Sequence, residues 1–328
     1  MPTEAQPTPT KNQNQPDLVQ PDLMRPDLMR PELMHSAQGY QKQDAEIVDY
    51  QLWNLWTPQA GFSLRGPRPA SLTPGGYHVA LGAAYTFGRF SPTTYTQLLG
   101  KALNLPALNL GFAGIGPSFY NDPKHSALID VINSARFVTI GVFSGRSQSN
   151  SLFKAASYSQ EQYILDNGQV VPADYAYQQL LETADRKTLF DLVAETRSRY
   201  LAEFIQLLEK ITVPKVLLWL SKRSPDYTES YESLFKLFSN FPHLVNQPMV
   251  DILRSHCDAY VEHVGTEGLP QPLMSRKTQQ LVSLTRSRDY EAGKIQLKPS
   301  EITHNRYYPS PQMHESAAKK LLLACQSL

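Results

Sequence analysis

Three short stretches hold the residues that could do chemistry. The first, Gly82-Ala83-Ala84-Tyr85-Thr86-Phe87-Gly88-Arg89, follows the apolar run Tyr77–Leu81. The second, Asn109-Leu110-Gly111 with Gly114, follows another apolar run. The third is Tyr307-Tyr308-Pro309-Ser310-Pro311-Gln312-Met313-His314. An imidazole can act as a general base, and a hydroxyl can attack an acyl carbon when that base takes its proton. His314 is the candidate base, and Thr86 and Ser310 carry the candidate hydroxyls. Glycines just past strands let backbone N–H groups face a developing oxyanion, which gives Gly111 and Gly114 a donor role. Asn109 ends the second run and can bond a ligand or the turn. Arg89 can hold a carboxylate, sulfate or phosphate through two nitrogens. The polar turn Ser144 to Asn150 follows a third apolar run and offers Ser144, Arg146 and Asn150 as ligand contacts. Each has a structural alternative. Thr86 can bond within its turn, Asn109 and Asn150 can satisfy backbone groups, and Ser310 before Pro311 is a good helix cap.

These blocks, in this order, resemble the SGNH (GDSL-type) esterase and acyltransferase superfamily. There a Gly-Asp-Ser-x-x-x-Gly turn follows the first strand, an Asn-Leu-Gly block follows the second, and an Asp precedes the catalytic His by three residues. In this chain the frame runs from Gly82 to Gly88, with Ala83 at the Asp position and Ala84 at that of the nucleophilic Ser. Pro311 stands where the last Asp would be. The turn Thr86–Arg89, the block Asn109–Gly111, the pair Ser149-Asn150 and the run Tyr307–Pro311 most closely resemble a bacterial domain family of unknown function related to SGNH proteins. That resemblance implies a flavodoxin-like, doubly wound parallel sheet with Ala84 and the polar turns lining a ligand site. It also implies a place in polysaccharide chemistry, with a small polar or carbohydrate-linked ligand. Alanine carries no nucleophilic atom, so serine-esterase chemistry at Ala84 is not expected. Two other readings stay open. One is an active acyl esterase or acyltransferase acting on glycans with altered catalytic residues. The other is an interaction protein that recruits partners through its N-terminal repeats.

The elements that must position these residues follow from the pattern. Strands are expected at Tyr77–Leu81, Ala107–Leu110, Phe137–Phe143, Lys215–Leu220 and Tyr260–Val264. Helices are expected at about Pro92–Leu103, with Ser91 as N-cap and Pro92 at N1, near Lys124–Asn133, and from Pro311 through Leu322. Residues 172–210 read as a helical insertion, and further helix is expected at about 228–238 and 247–256. Strands alternating with helices imply one parallel sheet with helices on both faces and with the turns after Leu81, Leu110 and Phe143 on one edge. Tyr50, Leu52, Trp53, Leu55 and Trp56 are expected to pack on the first strand's flank. Gly61 to Gly76, with Pro67, Pro69 and Pro74, reads as a loop.

Bulk properties exclude several classes. The chain has 328 residues, 41% of them apolar, so it can bury a sizeable core. Its net charge of +1 gives no basic surface for nucleic acid. Cys257 and Cys325 form neither a disulfide framework nor a metal motif, and a reducing, cytoplasmic location is the simplest expectation. No cofactor fingerprint and no apolar run long enough to span a membrane is present, so neither a cofactor nor a membrane span is expected. Residues 1–45 form a separate, Pro-rich tail ahead of an α/β domain at 46–328. Pro16, Pro21, Pro26 and Pro31 each begin a five-residue repeat. Proline at that spacing removes backbone donors, so a disordered tail is expected. The alternative is a linear motif in four copies for a protein partner.

Overall fold

The computed structural model describes residues 34–35, 44–146, 148–156, 161–286, 289–291, 294–326 and 328. In chain order, β1 is Met34–His35, β2 Trp53–Trp56, β3 Gly61–Leu64 and β4 His78–Gly82. Then come α1 (Ala84–Phe87), α2 (Tyr95–Leu103), β5 (Ala107–Gly111), α3 (Pro117–Asn121), α4 (Ser126–Asn133) and β6 (Val138–Gly141). Three short strands follow, β7 (Lys154–Ala155), β8 (Gln162–Ile164) and β9 (Val170–Pro172), then α5 (Ala173–Thr183) and α6 (Arg186–Lys210). The last part holds β10 (Lys215–Ser221), α7 (Leu234–Phe238), α8 (Gln247–Arg254), β11 (Ala259–Val264), short ribbons between 271 and 305, and α9 (Pro311–Cys325).

Five strands form one parallel sheet in the order β11-β10-β6-β4-β5. β4 is buried along its whole length, and so is β10 after its first residue. A strand covered on both faces reads as a continuous apolar run, which is why these strands were visible in the sequence. The chain passes from β4 outward to β5, then back across β4 to β6. Right-handed crossovers therefore put α2 on one face and α3, α4 and α6 on the other. α9 joins the first face, packed on α2 and β11, while α3 and α8 lie on α6.

The expected helical insertion resolves into two parts with different work. α6 is the crossover from β6 to β10. Its C-terminal half packs Tyr200, Phe204, Leu207 and Leu208 into the main core. Its N-terminal half packs Leu189, Leu192 and Val193 into a second core with Phe153, Tyr163, Tyr177, Leu237 and Phe238. β7, β8 and β9 form an antiparallel sheet beside that second core.

Two expectations are corrected. Gly61–Leu64, expected as loop, is β3; it is fully buried and pairs antiparallel with β2. A Cβ on Gly61 would lie 2.4 Å from the Trp56 ring, so the indole lies over the glycine. α2 starts at Tyr95, not Pro92, and Thr94 caps it in a reciprocal box with Gln97. Ser91 instead donates its hydroxyl to the Thr93 carbonyl at 2.7 Å.

Most of the 1–45 tail, including the repeats from Pro16 through Leu33, lies outside the described residues. Met34–His35 pairs in parallel with Gly61–Phe62. Asp44 is fully buried, accepts from Tyr50 Oη at 2.9 Å, and takes Arg89 Nε and Nη2 at 2.8 and 3.0 Å. The folded body therefore includes Asp44. Removing one partner of a buried ion pair strands the other charge, at a cost of roughly 3–5 kcal/mol. Asp44→Ala is expected to lower the free energy of unfolding by about that amount in a urea titration. Deletion of residues 1–33 is expected to leave the midpoint where it was. An unchanged midpoint in Asp44→Ala, or a loss in the deletion, would overturn this assignment.

Candidate functional site

Parallel pairing brings the ends of β4, β5 and β6 to one edge, with Gly82 beside Gly111 and Leu81 beside Ile140. The turns bearing Ala84, Gly111 and Ser144 leave from that edge, as the alternation of elements predicts. α1 follows β4 at once and closes on Gly88, whose φ of +76° is the left-handed conformation that glycine adopts freely. α1 lies so close to β5 that a Cβ on Gly111 would come 2.2 Å from the Phe87 nitrogen. Gly111 N–H donates to Asn109 Oδ1 at 2.8 Å, and Asn109 Nδ2 donates to the Thr86 carbonyl at 2.8 Å. Asn109 and Gly111 are thus bonded to the turn. Thr86 Oγ1 lies 3.0 Å from Tyr95 Oη, over strand positions where Gly82 and Gly141 leave it room. Gly114, at φ +68°, turns the chain beyond β5. What remains open at the edge is a cavity of about 10 Å³ lined by Ala83, Thr86, Tyr95, Gly141 and Phe241 among others. That is room for about one water. Ala84 itself is 9% exposed.

Arg89 is engaged by Asp44 through two nitrogens, and its Nη1 donates to Tyr308 Oη at 3.2 Å. Its two-nitrogen grip, read from the sequence as a ligand contact, is used inside the fold. A second arginine, Arg65 at the end of β3, is buried beneath the same turn. It donates to the carbonyls of Gly88 (3.0 Å), Ser91 (2.6 Å) and Pro92 (3.1 Å). Burial lowers its pKa to about 10, so it stays charged at neutral pH. The Arg65 role was hidden because Gly66–Gly76 carries the turn residues that made the whole stretch read as loop.

Ser310 caps α9 by accepting from Met313 N–H at 3.1 Å, and its hydroxyl donates to the Glu267 carbonyl. It is buried and serves the cap. His314 lies in the first turn of α9, fully buried, with its ring stacked on Tyr95 at 5.9 Å. The Tyr95 backbone N–H donates to His314 Nδ1 at 3.2 Å. An N–H can only donate, so Nδ1 carries the lone pair and the neutral ring holds its proton on Nε2. That Nε2 is buried without a partner among the described residues. It faces Gly88, where a Cβ would lie 3.4 Å away.

The polar turn after β6 is largely taken up by the insertion. Asn150 donates to Thr196 Oγ1 (3.0 Å) and accepts from Leu152 and Phe153 N–H at 3.0 and 2.7 Å. Arg146 is buried, pairs with Glu161, and lies 3.8 Å from Asp174. Ser144 is different. It is half-buried, and its Oγ lies 3.2 Å from Nδ1 of His243, a residue that no motif in the chain singles out. The two are 99 residues apart. The His243 ring stacks on Tyr307 at 6.0 Å and 15°. The structure thus brings Ala84, Thr86, Asn109 and Gly111 together around α1. It places His314 on the Gly88 side of that turn and engages Arg146 and Asn150 with the insertion.

Burial, reinforced by the Arg65 charge, lowers the His314 pKa to about 3. An unfolded imidazole titrates near 6.5. Between these values the unfolded chain binds the extra proton, so stability is complete above about pH 6.5 and falls as the pH drops toward 3. At about pH 4.5 the loss from His314 is on the order of 3 kcal/mol. Burial also lowers His78, to about 4, which adds in the same direction. The variant His314→Asn keeps an acceptor for Tyr95 and cannot titrate. Its urea midpoint is expected to depend less steeply on pH between 4 and 6.5 than that of the wild type. Parallel slopes would show that the native fold protonates His314.

Among the described residues no helix is long and apolar enough to cross a membrane, and no group of His, Cys, Asp and Glu could hold a metal ion. A crystal structure of a protein from Lactobacillus plantarum is similar at 11% identity, covering 78% of this chain and 98% of that one, with a TM-score of 0.36. No curated protein matches the chain. The family model described as a domain of unknown function (DUF6473) matches residues 39–161 and 178–328, and the chain belongs to that family.

Proposed function

We propose that the protein is a degenerate SGNH-like domain that binds a small polar or carbohydrate-linked ligand and runs no serine-esterase chemistry at its first turn. Numbered along the chain, the five parallel strands lie in the order 2-1-3-4-5, which is the flavodoxin-like order. That order supports the SGNH-like reading. One observation carries the chemical part. In a serine triad an acid accepts the Nδ1 proton and leaves Nε2 free to take the hydroxyl's proton. Here Pro311 replaces the acid, and the Tyr95 N–H occupies Nδ1 from the opposite polarity. The tautomer is reversed, and Nε2 is a donor. Ala84 removes the nucleophile as well. The binding part is supported by an open groove of about 500 Å³ beside the second core.

A specific observation favours a second reading, an ester-cleaving enzyme with altered residues. With its proton on Nε2, His243 can take the Ser144 hydroxyl proton at Nδ1, 3.2 Å away. Oγ would bond to the acyl carbon, the alcohol would leave with that proton, and water would release the acid from the acyl-serine.

Assays on p-nitrophenyl acetate and on acetylated sugars separate these readings. The wild type is expected at background, and Ala84→Ser no more than about tenfold above it, since a wrong triad tautomer alone costs roughly 10⁴ in kcat. Turnover in Ala84→Ser that His314→Ala abolishes would overturn the reversed tautomer. Robust wild-type turnover that disappears in both Ser144→Ala and His243→Ala selects the second reading.

A further inference from the structure

We infer that the groove between the start of α6, the segment 226–231 and the start of α8 is a saccharide-binding site. The inference rests on the binding reading above and gives it a place and a ligand class. The groove holds about 500 Å³, against about 10 Å³ at the sheet edge. A ligand of more than one water's size has room here and not there.

The lining has the two parts that a sugar ring requires. Phe190 is 45% exposed, although its helix neighbours Leu189 and Leu192 are buried. Its ring meets Tyr231 with centroids 4.1 Å apart and planes at 50°. Two aromatic rings at the wall of a groove offer apolar faces to the C–H side of a pyranose, where burial of carbon surface is favourable. The polar part alternates donors and acceptors. Asp226 is exposed in the groove. Asn246 uses Oδ1 to cap α8 through Met249 N–H at 3.3 Å, which leaves its amide N–H groups for a ligand. Gln247 donates Nε2 to Asp251 at 3.0 Å and keeps its carbonyl oxygen for a hydroxyl.

The wall is braced from behind. Arg197 donates to Glu229 Oε1 at 2.6 Å, to the Leu244 carbonyl at 2.9 Å and to Tyr227 Oη at 3.4 Å. Arg223 lies over the Tyr227 ring at 4.2 Å. Side chains held in this way need little ordering when a ligand arrives, which lowers the cost of binding. The Glu229 charge is met by Arg197, and the lining otherwise carries one cation, Arg186, and one anion, Asp226, so the groove has no surplus of either sign. A neutral saccharide fits that balance better than a phosphorylated or polyanionic one.

The test uses the full chain. Cellobiose, maltose and N,N′-diacetylchitobiose are titrated by calorimetry, with glucose 6-phosphate as the anionic comparison. At least one neutral disaccharide is expected to bind, and glucose 6-phosphate is not. Phe190→Ala and Asp226→Asn change exposed side chains, and each is expected to weaken that binding about tenfold or more without shifting the urea midpoint. Binding unchanged in both variants would sink the groove while the binding reading survives. Failure of all three disaccharides and of glucose 6-phosphate would sink both. Preference for glucose 6-phosphate would overturn the ligand class.

Discussion

A guanidinium has been placed under the turn that follows the first strand of the central sheet, and its neighbours have arranged themselves to meet its needs. Arg65 is buried, so its charge must be met from within the protein. Three carbonyls meet it, those of Gly88, Ser91 and Pro92, and the rings of Tyr50 and Phe87 cover it at 4.7 and 5.6 Å. Hydrogen bonds to a charged group contribute about 1.5–3 kcal/mol each, and three of them can offset burial of one cation. The chain must curve round Arg65 to bring those carbonyls together. That curve delays the start of α2 until Thr94, and it carries the Tyr95 N–H to His314. A residue contributed by β3, outside the main sheet, thus fixes the geometry of both helices on one face.

The same bonds occupy several groups around α1 that a reaction would call on. An oxyanion site needs donors aimed at an empty position, and a general base needs a lone pair aimed at its proton. Around α1 three of the donors read from the sequence are engaged. Gly111 N–H goes to Asn109, the Asn109 amide goes to Thr86, and Arg89 goes to Asp44. The lone pair of His314 points at a helix start. His314 Nε2 and Arg65 Nε, by contrast, are buried without a partner among the described residues. These bonds tie the turn to β5 and to the segment ahead of β2.

How much of this could be read in the sequence depended on the range of the interaction. Four of the five sheet strands announced themselves as apolar runs, because a strand covered on both faces has no polar side to dilute it, while the edge strand β11 carries Glu262 and His263. Ser310 and Pro311 announced the start of α9 through a cap that needs only four residues. The start of α2 was misread although a local signal was present. Thr94 followed by Gln97 has the spacing of a capping box, but Ser91-Pro92 offered an equally good cap three residues earlier. Arg65 decided between them, and its partners lie 23 to 27 residues away. Asp44 and Arg89 are 45 residues apart and Ser144 and His243 are 99 apart, with no motif linking either pair. Polar side chains declare a bonding capacity in the sequence, and only the fold says which partner uses it.

The turn Ser144–Asn150 shows how that ambiguity arises. A polar turn beyond a central parallel strand usually meets a ligand, since the strand's carboxyl edge is where open α/β sheets build their sites. Here the turn leads into β7, β8, β9 and α5, and it must anchor them. Asn150 ties the turn to Thr196 on α6, Tyr163 Oη donates to the Arg146 carbonyl at 2.5 Å, and Arg146 pairs with Glu161. The insertion meets these polar groups where a ligand would in an enzyme. α6 then spans from the main core to the second one and carries Phe190 at its outer end. An insertion that covers the sheet edge also extends the surface beyond it. A groove of about 500 Å³ lies on that extension, lined by Phe190 and Tyr231 among others.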